Sequence, residues 1–182
     1  MNEKKQSVTW WEYAADFSEG FAVVRRDDWL WNYIRTDGNV AFDTWWKGAF
    51  TFSEGFAVVQ RADGLYNHIR SDGSVVSDMW WVDAFNFSEG FAAVKRADGL
   101  WNHIRPDGSV VSETWWGDAF NFIEGFARVQ REDGLWNHIR SDGSVVSDMW
   151  WKDAWYFSEG FARVRRADGA RCTINTNGEV VD

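Results

Sequence analysis

The sequence predicts an all-β protein of five tandem 35-residue antiparallel β-meanders, and three observations point to it. The first is a repeat: Phe-Ser-Glu-Gly-Phe-Ala begins at Phe17, Phe52, Phe87 and Phe157, and Phe122 opens a variant with Ile123, always 35 residues apart. Such self-similarity at a fixed period marks an array of one supersecondary unit. The second is turn chemistry. Asp-Gly or Asn-Gly punctuates apolar runs about every nine residues, with no helical periodicity between them. The third is the aromatic load: 18% of the 182 residues are aromatic, 15 of them Trp, beside a single Pro. That composition excludes a disordered chain and supplies core for a β array.

The second unit shows each element in order. Phe56–Arg61 reads as a first strand, and Asp63-Gly64 as a tight hairpin turn suited to positive φ. Leu65–Arg70 is a second strand and Asp72-Gly73 a second tight turn. Ser74–Ser77 starts a third strand expected to run towards Trp80-Trp81. Asp83–Phe87 is a short fourth strand or an ordered loop, and Ser88-Glu89-Gly90 leads into the next unit. Asn67–Trp81 is identical to Asn137–Trp151, as in a recently amplified or designed array.

Two architectures follow. Residues 7–182 span one residue more than five periods, and Trp10-Trp11 at the head aligns with Trp80-Trp81. An integer number of units cut inside one unit predicts a small five-bladed β-propeller whose N- and C-terminal strands complete one blade, protecting its sheet edges. The alternative is an open β-solenoid, whose end units diverge as caps. They do diverge: Asp28-Trp29 replaces Asp-Gly in the first unit, and Ala170–Asn175 replaces Leu-Trp-Asn-His-Ile-Arg in the last. Residues 1–6 read as a charged tail and 7–182 as a single five-repeat domain.

Charge narrows the partners. The net charge of −9, with no basic cluster larger than Lys4-Lys5 or Arg25-Arg26, argues against nucleic acid and anionic membranes. Cys172 is the single cysteine and forms no internal disulfide. Met1–Gln6 lacks the apolar segment of a secretory signal, so a cytoplasmic protein is expected; a secreted one whose leader had been removed would read the same.

Four stretches carry a family resemblance: Phe87-Ser88-Glu89-Gly90-Phe91-Ala92-Ala93-Val94, Gly99-Leu100-Trp101-Asn102-His103-Ile104, Gly108-Ser109-Val110-Val111 and Trp116-Gly117-Asp118-Ala119. In this order and spacing the unit resembles the WG-repeat (KWG) family of β-rich, mainly bacterial repeat proteins. Two features depart from the family pattern. Asn32, Asn67, Asn102 and Asn137 stand where the family's aromatic-Gly pair has Gly, and the Pro common after the third strand is missing. The resemblance implies a repeat scaffold or binding module, and no reaction.

The second strand offers the candidate site. Side chains alternate across a sheet, so Trp31-Tyr33-Arg35, Tyr66-His68-Arg70, Trp101-His103-Arg105 and Trp136-His138-Arg140 each share a face. An aromatic platform with His and Arg at its rim suits a sugar ring or a carboxylate, giving a multivalent, lectin-like binding module for a carbohydrate or protein ligand. The plainer reading packs Trp between sheets, pairs His with backbone and sends Arg to an acidic residue. The alternative function is a structural scaffold or self-assembling repeat protein.

Elsewhere the structural readings dominate. At least one Trp of each doublet (10-11, 45-46, 80-81, 115-116, 150-151) belongs to the core. The Glu before Gly at 19, 54, 89, 124 and 159 suits backbone N–H groups better than catalysis. One His per repeat, with no second His or Cys beside it, makes no metal site. No cofactor is expected, and the lack of an asymmetric polar constellation argues against an enzyme.

Overall fold

The computed structural model describes residues 11–182, which form strands and turns without a helix. The tail at 1–6 and Trp10 lie outside the described residues. Fifteen strands make five separate three-stranded antiparallel sheets. The first is β1 (Tyr13–Ala14), β2 (Phe21–Arg25) and β3 (Trp31–Arg35); the second β4 (Gly48–Ala49), β5 (Phe56–Gln60) and β6 (Tyr66–Arg70). The third is β7 (Asp83–Ala84), β8 (Ala92–Lys95) and β9 (Trp101–Ile104), and the fourth β10 (Asp118–Ala119), β11 (Phe126–Gln130) and β12 (Trp136–Arg140). The fifth is β13 (Asp153–Ser158), β14 (Phe161–Arg165) and β15 (Arg171–Asn175). Every sheet is a meander with the middle strand of the three central.

The hairpins differ from expectation in one instructive way. The two-residue turn with two positive φ angles is the Glu-Gly pair: Glu54 has φ 53° and Gly55 φ 81°, and Ser53 and Phe56 exchange both backbone hydrogen bonds around them. The Asp-Gly turns are longer. Arg61 N–H donates to Leu65 O while Gly64 N–H donates to Arg61 O, and only Gly64 is left-handed. This is a three-residue loop closed by a glycine bulge. Asp63 Oδ1 accepts the Leu65 N–H at 3.2 Å, which explains the Asp. In the first unit Trp29 occupies the glycine's position at φ 65°, with the Arg25 guanidinium 4.0 Å from its ring centre.

The third strand is interrupted. Val75 bridges Ile69 and Trp81 bridges Tyr66, but the chain bends away between them. Asn67 fills the gap, its Nδ2 donating to Ser77 O at 2.7 Å and Met79 O at 3.0 Å. Past the bend, Trp81 hands the chain to β7, which belongs to the next sheet.

Consecutive sheets stack face on face, and the core consists of four apolar clusters, each spanning one sheet and the next. No ladder among the described residues joins the first sheet to the fifth. Trp46, Trp81, Trp116 and Trp151 each bridge the third strand of the preceding sheet, whereas Trp11 makes no bridge. Among the described residues no bridge joins Trp11 to Arg171, its counterpart position on β15, and the described sheets are compatible with both the ring and the open array.

Glycines test the stacking. A Cβ on Gly143 (φ +88°) would lie 2.4 Å from Val111 O of the previous repeat, whereas Gly99 (φ +89°) has nothing within 4 Å. Both alanine substitutions carry left-handed strain of about 1 kcal/mol or more. Gly143→Ala must also push two sheets apart. Chemical denaturation is expected to show Gly143→Ala at least about twice as destabilising as Gly99→Ala; equal losses would mean the turn tip does not dock on its neighbour.

Candidate functional site

The second-strand residues lie in the interfaces between repeats. His68, His103 and His138 are buried, and their Nε2 atoms lie 2.7 Å from Phe85 O, Phe120 O and Trp155 O of the following repeat. A carbonyl only accepts, so Nε2 carries the proton. Burial depresses all three pKa values to about 4, and the Arg128 charge adds to this for His138. Tyr33 performs the same task in the first repeat, its hydroxyl donating to Phe50 O at 2.7 Å, and burial raises its pKa.

The rest of the predicted set is placed as follows. Trp101 is buried, Trp31 and Trp136 are half-buried against the neighbouring sheet, and Tyr66 is half-buried. Arg70, Arg105 and Arg140 donate to the carbonyls of Val75, Val110 and Val145, so they hold the second Asp-Gly hairpin and do not reach an acid. Arg35 stands over the Phe21 and Phe42 rings and is exposed. The next sheet therefore covers the central His or Tyr of this face, while most of its aromatic and Arg positions are covered only in part and Arg35 not at all. The alternation marked the face, but period-2 spacing is silent on whether a second sheet lies over it.

The glutamates also serve the stacking. Glu54 accepts the N–H groups of Glu89 and Gly90 at 2.9 Å each, and Glu89 those of Glu124 and Gly125 at 2.8 and 2.7 Å. Each carboxylate thus holds the corresponding turn of the next repeat. Among the described residues no three His, Cys, Asp or Glu side chains gather as metal ligands do. Cys172 is buried.

What remains at the surface is a row of tryptophans. The second Trp of each described doublet from Trp46 to Trp151 is buried, and its first partner is half-buried. Trp45, Trp80, Trp115 and Trp150 each lie under an arginine of the preceding hairpin. Arg26, Arg61, Arg96 and Arg131 sit 3.9, 4.3, 3.9 and 4.4 Å from the ring centres. Asp28, Asp63, Asp98 and Asp133 pair with those arginines, and each is held below the usual carboxylate range chiefly by that hydrogen bond. On the other side each ring tilts against the second Trp of the previous doublet, as Trp116 and Trp150 do at 5.9 Å. A groove of about 660 Å³ opens there, lined by Trp115, Trp116, Trp150, Arg131, Asp133 and Val145 among others. Sequence reading located these doublets but not the arginine stacked on each, which the Arg-x-Asp spacing at the hairpin signals.

Solved structures of low sequence identity are similar over most of this chain. A 12% identical solved structure, described as KlHsv2 with loop 6CD replaced by a Gly-Ser linker, matches 90% of this chain and 62% of its own with a TM-score of 0.51. The computationally designed Ika8 protein matches 93% and 59% at 14% identity and a TM-score of 0.48. The WD40 β-propeller domain of Doa1 matches 92% and 64% at 13% identity and a TM-score of 0.40. The chain spans about three-fifths of the length of these structures. A search of curated proteins finds no match. The model of the WG containing repeat matches residues 31–66, 69–101, 104–136 and 139–168, each match running from the third strand of one sheet into the next sheet. The chain belongs to the WG-repeat family, with an all-β stack of five meanders.

Proposed function

We propose that this protein is a non-enzymatic binding scaffold whose contact surface is the row of Trp45, Trp80, Trp115 and Trp150, and that its ligand is an extended protein segment. The observation that carries the reading is the repeated Asp–Arg–Trp stack at the surface. The histidines, asparagines and glutamates are occupied by bonds within and between repeats, so they have little to offer a ligand. The stacks differ: their indoles are half-buried, already oriented between an arginine and a second indole, and little side-chain freedom is lost on contact. Trp and Arg are the residues that most often dominate protein interfaces. Charges of both signs beside an apolar groove suit a polypeptide of mixed polarity. Equivalent weak sites in one row would add through avidity.

The competing ligand is a glycan, as in the lectin-like reading of the second strand. A random peptide library panned on the intact chain should yield binders that weaken at least about tenfold against the Trp115→Ala/Trp150→Ala double variant. A glycan array probed in parallel should stay blank. Sugar binding that depends on these tryptophans, or peptide binders indifferent to them, would overturn the proposal.

A further inference from the structure

The two outer faces of the array are halves of an interface the molecule already makes four times. Between repeats, the Phe that opens the middle strand stacks on a Phe of the next repeat: Phe21 on Phe52, Phe56 on Phe87, Phe91 on Phe122 and Phe126 on Phe157, with ring centres 4.2–4.6 Å apart. Phe52, Phe87, Phe122 and Phe157 are consequently at most 3% exposed. Their counterpart in the first repeat, Phe17, is 51% exposed, and Phe161, which opens the middle strand of the fifth repeat, is 49% exposed. Each is one member of a stack whose other member stands at the opposite end of the chain.

Hydrogen bonding repeats the pattern. Trp31 and Trp46 exchange two backbone bonds of 2.8 and 2.9 Å, as do Tyr66 and Trp81, Trp101 and Trp116, and Trp136 and Trp151. The position on β15 that corresponds to Trp31 is Arg171, an exposed edge residue, and Trp11, which corresponds to Trp46, makes no such bridge. An edge of this kind is a template for another strand.

Charge supplies the register. Arg128 on the fourth sheet lies 4.6 Å from the ring centre of Tyr156 on the fifth. One period on, Arg128 becomes Arg163, and the residue equivalent to Tyr156 in the first repeat is Asp16. The interior residues at Asp16's position are Thr51, Asn86, Asn121 and Tyr156, all uncharged. Arg163 and Arg171 both line an open hollow of about 640 Å³ beside Phe161. The carboxylate therefore appears only on the face that has no described sheet before it, and it would meet an arginine. Within one chain Phe17 and Phe161 both stay half-exposed, so these two faces do not satisfy each other.

We infer that a second copy of this chain docks its first repeat onto the fifth sheet, head to tail, in the register of the internal interfaces. Phe17 of the incoming copy stacks on Phe161, Asp16 pairs with Arg163, and Trp11 bridges Arg171. The contact is heterologous, so it propagates into longer assemblies or closes into a ring of several copies. It uses the ends of the array and is independent of the tryptophan row.

Light scattering and sedimentation of the full chain, from about 1 to about 500 μM, test this. The wild type should gain mass with concentration. Phe17→Asp and Phe161→Asp should each remain monomeric, because each lacks one half of the stack. An equal mixture of the two should form a dimer and nothing larger, since only one intact interface can assemble. Charge exchange tests the register without altering the stack: Asp16→Arg alone and Arg163→Asp alone should each associate at least about tenfold more weakly, and their mixture should recover. A wild type that stays monomeric throughout overturns the inference. So does association unchanged by either Phe variant, or a charge-exchanged mixture no better than its components.

Discussion

Acidification from about pH 7 to about pH 4.5 is expected to unfold this protein through its three interfacial histidines. Each donates from Nε2 to a carbonyl of the next repeat, while its Nδ1 is buried with no hydrogen-bond partner. Protonation would place a second N–H at Nδ1, with a charge, where nothing accepts it. Folding therefore holds these groups neutral, with pKa values near 4. An unfolded histidine titrates near about 6.5. Between those values the unfolded chain binds more protons than the folded one, so stability rises with pH across that window and is lost on acidification. The slope is at most about 1.4 kcal/mol per pH unit for each histidine, so three together exceed the net stability of many domains within about two to three units.

Tyr33 supplies the control. It clasps the next repeat without a group that gains a proton in this range. The His68→Tyr/His103→Tyr/His138→Tyr variant should therefore keep the clasp and lose most of the slope between about pH 4 and pH 6.5. Thermal melts of both proteins across that range provide the measurement. Parallel acid transitions would show that the histidines are not the cause.

The second large effect is expected at the buried asparagines. Asn102 is fully enclosed; its Nδ2 donates to Ser112 O and Thr114 O at 2.7 and 3.2 Å, and its Oδ1 accepts the His103 N–H at 2.8 Å. Asn102→Ala leaves two carbonyls and an amide without partners. Each buried group left unpaired costs about 1 kcal/mol or more, so a loss of about 3 kcal/mol is expected in denaturant titration. Asn102→Gly, which restores the family's residue, should cost at least as much, because the bend at Ser112–Thr114 is held by this side chain. A loss below about 1 kcal/mol would mean that water replaces the amide.

The asparagine also shows where sequence reading stops. In the sequence it is a departure from the family's Gly, recurring at Asn32, Asn67, Asn102 and Asn137. Its role depends on the third strand breaking into two bridges, and a run such as Ser74-Val75-Val76-Ser77 carries strand signals that do not reveal the break. The Glu-Gly turn was hidden differently. Asp-Gly is the stronger hairpin signal, but Glu54 adopts the left-handed conformation in a turn whose Gly55 N–H is held by Glu19, and its own carboxylate holds the turn of the next repeat. Both outcomes rest on contacts 10 to 36 residues apart.

The period, the number of meanders, the positions of the two long strands of each and the presence of Trp in the core were all determined by the sequence, because each depends on local alternation and on turns spanning a few residues. Which side chains remain for a ligand was decided only by the tertiary structure. A strand has two equivalent faces until a neighbouring sheet covers one. Stacking of the five sheets encloses His68, His103 and His138 and leaves Trp45, Trp80, Trp115 and Trp150 at the surface. Closure was undecided for the same reason. An integer count of repeats is compatible with a ring, but whether Phe17 meets Phe161 depends on the rotation from one sheet to the next, and side-chain packing between sheets sets that angle.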